Sequence, residues 1–362
     1  MPTENPLRSV HEAAGARLGE YFETILPSSF TNARDEYRHA RESVAVADKN
    51  YRAFFNFTGP DRARYLNAIL TNNIKDLQPG QGVVSLLLNP QGHILAELDT
   101  YATLDRMLVA TYAMIRERTA ATLDKFIIMD DVTLEDITDQ LGVVSIEGPK
   151  SPQLIAALHA PALDLLTELG HAETHVAGIP CRMVRRSPGG VPGAEFITSR
   201  DDLPRTWQAL VDAARALGGG PIGYEALNSL RLEEGIPWFG YDFDDKVIPH
   251  EAGLEQSHIN YSKGCYTGQE IVERVRSRGH VNRRRVGVAF SGQAIPEAHT
   301  PLLAGGAEVG AVTRAGFSYP LGRPIGMAYL RREHNSVGSR LTWSCGEAEV
   351  IDLPIRASAS AK

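Results

Sequence analysis

The chain has 362 residues, of which 43% are hydrophobic and 22% are charged, and its formal net charge is -7. This composition is typical of a globular protein with more than one hydrophobic core, and it shows none of the basic surplus of a general nucleic-acid binder. The sequence has no apolar N-terminal signal and no run of about 18 apolar residues that could span a membrane. We therefore expect a cytoplasmic protein that binds neither nucleic acid nor membrane.

The first third of the chain predicts helices interleaved with strands. Hydrophobic spacing indicates helices over residues 10–21, 32–41, 61–70 and 116–126. Strands are predicted over residues 53–57, 83–88, 93–102 and 106–111. The turn-forming sequence Asn89-Pro90-Gln91-Gly92 joins two of these strands as a hairpin. This order favours an α+β arrangement, with helices packed on one face of an antiparallel sheet.

A second group of elements follows, and a third ends the chain. Strands are predicted over 132–137, 141–146, 180–186 and 195–198, and helices over 152–158, 203–216 and 224–234. The run Gly218-Gly219-Gly220-Pro221 indicates a linker before the last of these helices. Short strands over 286–290, 308–313, 325–330 and 340–343 predict a small C-terminal barrel or sandwich.

One thiol stands in an unusual setting. Cys265 lies in the octapeptide Lys263-Gly264-Cys265-Tyr266-Thr267-Gly268-Gln269-Glu270, just before a predicted helix over 269–276. A neighbouring cation and a helix N-terminus both stabilise a thiolate, the reactive form of cysteine. The alternative is a small buried cysteine in a tight turn, since free cysteine is among the most buried residue types.

The octapeptide, with Arg274 and Arg278-Gly279 after it, resembles the signature of the YgfZ-type folate-binding proteins, relatives of the glycine cleavage T protein (aminomethyltransferase). Other segments resemble this family in the same order along the chain, from about residue 10 to about residue 355. They are residues 11–16, 57–61, 65–66, 71–73, 145–150, 230–237, 249–254 and 326–329.

The resemblance implies a three-domain aminomethyltransferase-like fold around a pocket for tetrahydrofolate. The first domain would be discontinuous, with residues 45–130 and 222–280 forming a folate-binding α+β domain. Residues 10–44 and 131–221 would form a second α+β domain, and residues 281–356 a small C-terminal β-barrel.

The resemblance also implies site residues. Glu195 stands where the family carries a glutamate that binds the pterin, and a carboxylate can accept N–H bonds from an aminopyrimidine edge. Arg231 is expected to brace a carboxylate, either of folate or of Glu233 or Glu234. Further candidates for contact with folate are Glu97, Tyr101 and Trp238.

A departure from the family pattern limits the chemistry. Aminomethyltransferases carry paired aspartates in the hairpin corresponding to residues 92–101, the first of them catalytic, and here Ala96 and Glu97 stand in that place. Alanine cannot exchange a proton, and strand alternation puts Glu97 on the opposite face. The resemblance therefore favours a tetrahydrofolate-binding protein of the YgfZ type, which supports iron-sulfur cluster assembly or repair in client proteins through Cys265 and Lys263.

Two alternatives remain open. One is a folate-dependent aminomethyltransferase or demethylating transferase, in which Glu97 or Asp99 replaces the missing acid. The other is a folate-sensing module without chemistry.

The arginine-rich segment 274–285 is expected to attract anions towards Cys265. Cys181, Cys265 and Cys345 are too widely separated to indicate a metal site or a disulfide framework.

Overall fold

A computed structural model of the protein describes residues 4–186 and 190–355. The helices are α1 (Arg8–Ala13), α2 (Ala33–Glu42), α3 (Arg62–Ile69), α4 (Arg116–Lys125), α5 (Ser151–Ala157), α6 (Leu203–Ala216), α7 (Tyr224–Glu233), α8 (Pro249–Ala252) and α9 (Gln269–Arg278). The first ten strands are β1 (Arg17–Tyr21), β2 (Thr24–Ser29), β3 (Ala45–Asp48), β4 (Arg52–Thr58), β5 (Gly82–Leu88), β6 (Ile94–Ala102), β7 (Met107–Tyr112), β8 (Thr133–Asp136), β9 (Leu141–Glu147) and β10 (His171–Val176). The others are β11 (Ile179–Arg185), β12 (Gly193–Ser199), β13 (Gly220–Pro221), β14 (Arg283–Phe290), β15 (Pro301–Ala304), β16 (Ala307–Ser318), β17 (Arg323–Arg331), β18 (Arg340–Trp343) and β19 (Gly346–Ile351).

Residue contacts divide the chain into two units. The first unit takes its residues from Met1–Leu88, Leu95–Ala226 and His258–Thr267, and the second from Asn89–Ile94, Leu227–Ser257 and Gly268–Lys362. The first unit holds the hairpin β1-β2, a five-stranded sheet of order β5-β6-β7-β4-β8 and a six-stranded sheet of order β10-β11-β12-β9-β3-β13. The division into three domains stays a prediction.

A core in the first unit lies between the six-stranded sheet and α6. This helix buries Leu203, Trp207, Leu210, Val211 and Ala214, which recur at the helical period and so form one apolar face. That face packs on β3 and β9 in a core that includes other fully buried apolar side chains. Their close packing fixes the sheet from which several charged side chains of the candidate site project.

The second unit contains a closed barrel of order β14-β17-β16-β15-β18-β19. Its interior is filled by apolar side chains such as Val288, Phe290, Leu302 and Leu330. The predicted C-terminal barrel is therefore confirmed, as is the α+β class.

Several predicted elements need correction. The helix predicted over 10–21 is wrong in its second half, because α1 ends at Ala13 and the chain turns at Gly15, whose φ of 75° suits glycine. In the sheets of the first unit, β3 pairs with β9 and β8 pairs with β4. Sequence spacing did not predict β1, β2, β3, β10, β13, β15 or β19.

Candidate functional site

A group of charged side chains is buried in the first unit, and Asp99 is at its centre. The Oδ2 atom of Asp99, on β6, accepts hydrogen bonds from the guanidinium groups of Arg52 on β4 and Arg186 after β11. Arg186 also lies 3.6 Å from the carboxylate of Glu195 on β12. The side chains of Arg52, Asp99 and Glu195 are at most 4% exposed. Burial opposes ionisation of Asp99, but Arg186 and Arg52 outweigh it and hold its pKa below the usual value.

A second buried ion pair lies nearby in the same unit. The ammonium of Lys49 is 3.1 Å from the carboxylate of Glu147 on β9. Burial lowers the pKa of Lys49, but Glu147, with smaller contributions from Tyr51 and Glu195, raises it above the usual value. We name the whole group the polar cluster; it consists of Lys49, Arg52, Asp99, Tyr101, Glu147, Arg186 and Glu195.

The polar cluster contains polar atoms that no protein group satisfies. Within residues 4–186 and 190–355, these buried atoms without a hydrogen-bond partner include Tyr101 Oη, Asp99 Oδ1, Arg52 Nε and Glu147 Oε2. Tyr101 is fully buried, and burial raises the pKa of its hydroxyl well above the usual value, with Asp99 adding to the effect. A buried polar atom needs a partner, so these atoms suit a ligand or water that offers both donors and acceptors.

Glu97 is held by two other side chains of the first unit. Its Oε1 lies 2.9 Å from Nε2 of His258, and its Oε2 accepts a hydrogen bond of 3.1 Å from the hydroxyl of Tyr112. The side chains of Glu97 and His258 are 11% and 10% exposed. A carboxylate joined to an imidazole in this way can pass a proton, whereas the neighbouring Ala96 is buried and has no titratable group.

In the octapeptide, Cys265 is exposed, whereas the Lys263 ammonium, which was predicted to stabilise the Cys265 thiolate, bonds to main-chain carbonyl groups instead. Cys265 is exposed, so the alternative of a buried cysteine is wrong. Lys263 is buried, and its ammonium donates to the carbonyl groups of Asn67 and Leu70 at the end of α3. Burial, with a smaller contribution from Lys75, lowers the pKa of Lys263 to about 8.

The other two cysteines provide natural comparisons for Cys265. Cys181 is buried, and burial raises the pKa of its thiol to about 11. Cys345 is exposed, like Cys265. Among the described residues, no group of three or more His, Cys, Asp and Glu side chains has the arrangement of a metal site.

Arg231 and Trp238 lie in the second unit and contact each other. The guanidinium of Arg231 lies 4.6 Å from the centre of the Trp238 ring and donates to Asp242 at 2.5 Å. Asp242 therefore takes the place that we expected for Glu233 or Glu234. Arg231 is nearly fully buried, and its Nη2 has no partner among the described residues.

The arginines after Cys265 are less available than the sequence indicated. Arg283 pairs with Glu251 and Arg284 with Glu255, while Arg285 donates to the carbonyl groups of Ala252 and Gly235. Carboxylates of the second unit thus offset the charge of Arg283 and Arg284, two of the arginines that were expected to act on the thiol.

The structure thus brings three of the predicted folate ligands into the first unit, namely Glu97, Tyr101 and Glu195, and adds residues that sequence reasoning missed. Those additions are Lys49, Arg52, Glu147, Arg186 and His258. A signal existed for two of them, because Lys49 and Arg52 lie in the short segment 48–52 between two apolar runs, residues 44–47 and 53–55. Arg186 and His258 carried no comparable signal.

Comparison with known families agrees with this architecture. Residues 7–259 match the GCVT N-terminal domain, and residues 283–355 match the glycine cleavage T-protein C-terminal barrel domain. The chain belongs to the glycine cleavage T-protein family. Curated relatives named aminomethyltransferase include that of Streptomyces avermitilis, 28% identical over 98% of this chain and 97% of the relative. The protein of Streptomyces coelicolor is 29% identical, with 96% of each chain covered.

A solved member of the T-protein family has the same fold. The crystal structure of the glycine cleavage system aminomethyltransferase T from Bartonella henselae superposes with a TM-score of 0.89 and covers 98% of each chain. Its identity of 22% makes this a likeness of fold alone. Within the described residues, no helix has the length and apolar content to cross a membrane.

Proposed function

We propose that the protein binds tetrahydrofolate, or a related reduced folate, through the polar cluster. The observation that carries the proposal is the set of buried atoms on Tyr101, Asp99 and Arg52 that have no hydrogen-bond partner in the described part of the chain. A pterin offers N–H donors and acceptor atoms along one edge, and the cluster offers carboxylates, guanidinium groups and a hydroxyl. Glu195, the predicted pterin ligand, is one of those buried carboxylates.

Calorimetric titration with tetrahydrofolate tests this proposal. We expect Glu195→Gln to weaken binding at least tenfold, because a charged acceptor becomes a neutral one. Tyr101→Phe should weaken it roughly two- to tenfold, the effect of one neutral hydrogen bond. The control is Glu173→Gln, since Glu173 lies on β10 of the same sheet with its side chain 84% exposed. If the native protein gave no saturable heat with tetrahydrofolate, the proposal of folate binding would be wrong. If all variants bound folate with equal affinity, the binding site would lie outside the polar cluster.

For the activity, we propose folate-dependent transfer of an aminomethyl or methyl group, which the names of the relatives support. The residue corresponding to the family's acid is Ala96, so another group must exchange the proton. Glu97 and His258 are suited to this step, because a hydrogen-bonded carboxylate and imidazole can take up and return a proton.

Single-turnover transfer from a methylamine donor to tetrahydrofolate measures this activity. Glu97→Gln and His258→Gln should each slow transfer by about 10²-fold or more, and His258→Gln should change folate affinity little. A native protein that binds folate but shows no transfer would contradict the transferase proposal and leave the binding proposal standing.

The exposed thiol favours a second candidate, a YgfZ-type function in iron-sulfur cluster assembly or repair in the cytoplasm. Cys265 makes no side-chain hydrogen bond or ion pair with any residue in the described ranges, so its thiol can reach an external partner. Iodoacetamide labelling across pH should modify Cys265 faster than Cys345, which is also exposed but lies outside the octapeptide. Cys265→Ser should also lower the activity of iron-sulfur enzymes in cells that produce only this variant. Equal labelling rates and unchanged enzyme activity would exclude this candidate.

A further inference from the structure

A basic groove lies in the second unit where β14 begins and β17 ends. It has a volume of about 940 Å³ and is lined by residues of the segments 280–283 and 331–333, with His93, Lys246 and Glu251. Its cations are Lys246, Arg283, Arg331 and Arg332, and its carboxylates are Glu251 and Glu333. In a protein whose net charge is -7, this surplus of cations in one cavity creates a local attraction for anions.

The barrel places two of these arginines side by side. Arg283 and Arg331 are directly opposite each other in the antiparallel pair β14-β17, an arrangement in which like charges destabilise a sheet. Glu251 offsets the charge of Arg283 through contacts of 3.2 and 3.3 Å. Arg331 and Arg332 make no side-chain hydrogen bond or ion pair with any residue in the described ranges. Their charge is therefore available to a ligand.

The groove continues into a neighbouring cavity of the same unit. This second cavity has a volume of about 480 Å³ and shares Lys246, Arg283 and Arg331 with the groove. Its walls include Tyr329, whose hydroxyl is buried without a hydrogen-bond partner among the described residues. The same cavity is also lined by the carboxylates of Asp242, Asp244 and Glu308, so an anion is expected on the side of the groove, where cations predominate.

We propose that this groove binds a compact, multiply charged oxyanion of the phosphate or polycarboxylate class. The guanidinium groups of Arg331 and Arg332 can each form paired N–H···O bonds with such an anion, and the ammonium of Lys246, 4.0 Å from Asp244, adds a further positive charge. An anion bound there would also relieve the repulsion between Arg283 and Arg331. The site shares no residue with the polar cluster and does not depend on the proposed folate function.

Calorimetric titration of the full-length protein with tripolyphosphate, and separately with citrate, tests the proposal. We expect saturable binding that weakens at least tenfold in the double variant Arg331→Ala/Arg332→Ala. The matched control is Arg323→Ala/Arg340→Ala, which removes two arginines of the same barrel, on β17 and β18, that lie outside both cavities. It should leave the affinity within about twofold.

A third variant tests whether weaker binding of the double variant could result from misfolding rather than from loss of the anion site. Glu333→Gln removes an exposed competing carboxylate from the groove, so it should tighten binding several-fold. Stronger binding of tripolyphosphate than of citrate would assign the phosphate class, and the reverse would assign polycarboxylates. The proposal is overturned if neither anion binds saturably, or if the control double variant loses as much affinity as the groove variant.

Discussion

Asp99, on β6 of the five-stranded sheet, forms an ion pair with Arg186, which directly follows β11 of the six-stranded sheet, so the pair joins the two sheets of the first unit. Arg52 donates to the same carboxylate oxygen. Two guanidinium groups thus share one carboxylate, and Arg186 also lies near Glu195, so Asp99 has a structural role as well as a place in the candidate folate site.

Replacing that carboxylate should destabilise the protein strongly. Asp99→Asn leaves the buried Arg52 without its counter-ion and the half-buried Arg186 with Glu195 alone, and we expect it to lower the free energy of unfolding by about 3–5 kcal/mol. Urea denaturation followed by circular dichroism measures the change. Asp105→Asn is the control, because the side chain of Asp105 is 68% exposed, and it should stay within about 0.5 kcal/mol of the native chain. A similar small effect at Asp99 would contradict the buried ion pair.

Lys263 should make stability depend on pH in the alkaline range. Its pKa is about 8 in the folded protein and about 10.4 in an unfolded chain. Between these values the unfolded chain holds a proton that the folded protein has lost, so stability rises with pH, by at most about 1.4 kcal/mol per unit. Below pH 8 the Lys263 ammonium is protonated in both states, so its burial destabilises the folded protein most there.

Denaturation between pH 7.5 and pH 10 of the native chain and of Lys263→Met measures that slope. The variant should lack the contribution of this residue, whereas Lys125→Met, a substitution on an exposed part of α4, should retain it. If the free energy of unfolding changed with pH in the same way for all three proteins, the Lys263 ammonium would keep its proton throughout this range.

The two glycines of the octapeptide should respond differently to alanine. A Cβ atom added at Gly264 meets nothing within 4 Å, so Gly264→Ala should change stability by less than about 0.5 kcal/mol. Gly268 has a φ of 81°, and Gly268→Ala should destabilise by about 1–2 kcal/mol because of the left-handed backbone. Thermal unfolding compares the two variants. Equal losses in both would show that the backbone of the octapeptide differs from the one described.

Arg231 should act as a structural residue of the second unit. Arg231→Met leaves Asp242 buried without its guanidinium partner, and we expect a loss of about 3–5 kcal/mol. The double variant Arg231→Met/Asp242→Leu should recover part of that loss, because it removes both charges together. A double-mutant cycle in urea gives the coupling, and additive losses would contradict the ion pair.

Regular periodicity made much of the architecture predictable. The helix over 203–216 was predicted with the bounds that the structure shows, because its buried residues from Leu203 to Ala214 recur at helical spacing. The barrel was predicted because its strands are short, apolar and separated by glycine and proline. The helix over 10–21 failed because a single residue, Gly15, ends α1 and lets the chain enter β1.

The candidate site was less predictable, for a physical reason. Arg52 and Asp99 are 47 positions apart, and Arg186 is a further 87 positions along the chain, so their ion pairs depend on how two sheets pack. A charged residue is usually exposed, and nothing local in the sequence distinguishes a buried one. Glu195 and Glu97 were found through resemblance to a family, whereas their partners Arg186 and His258 became visible only in the fold.

Closure of the six-stranded barrel determines how the second unit can recognise other molecules. Every strand from β14 to β19 has a neighbour on both sides, so no row of main-chain N–H and C=O groups is left for an incoming β-strand. Recognition by this barrel must therefore use side chains, and substitutions on its surface can change what it binds without disturbing the strand pairing that holds it together.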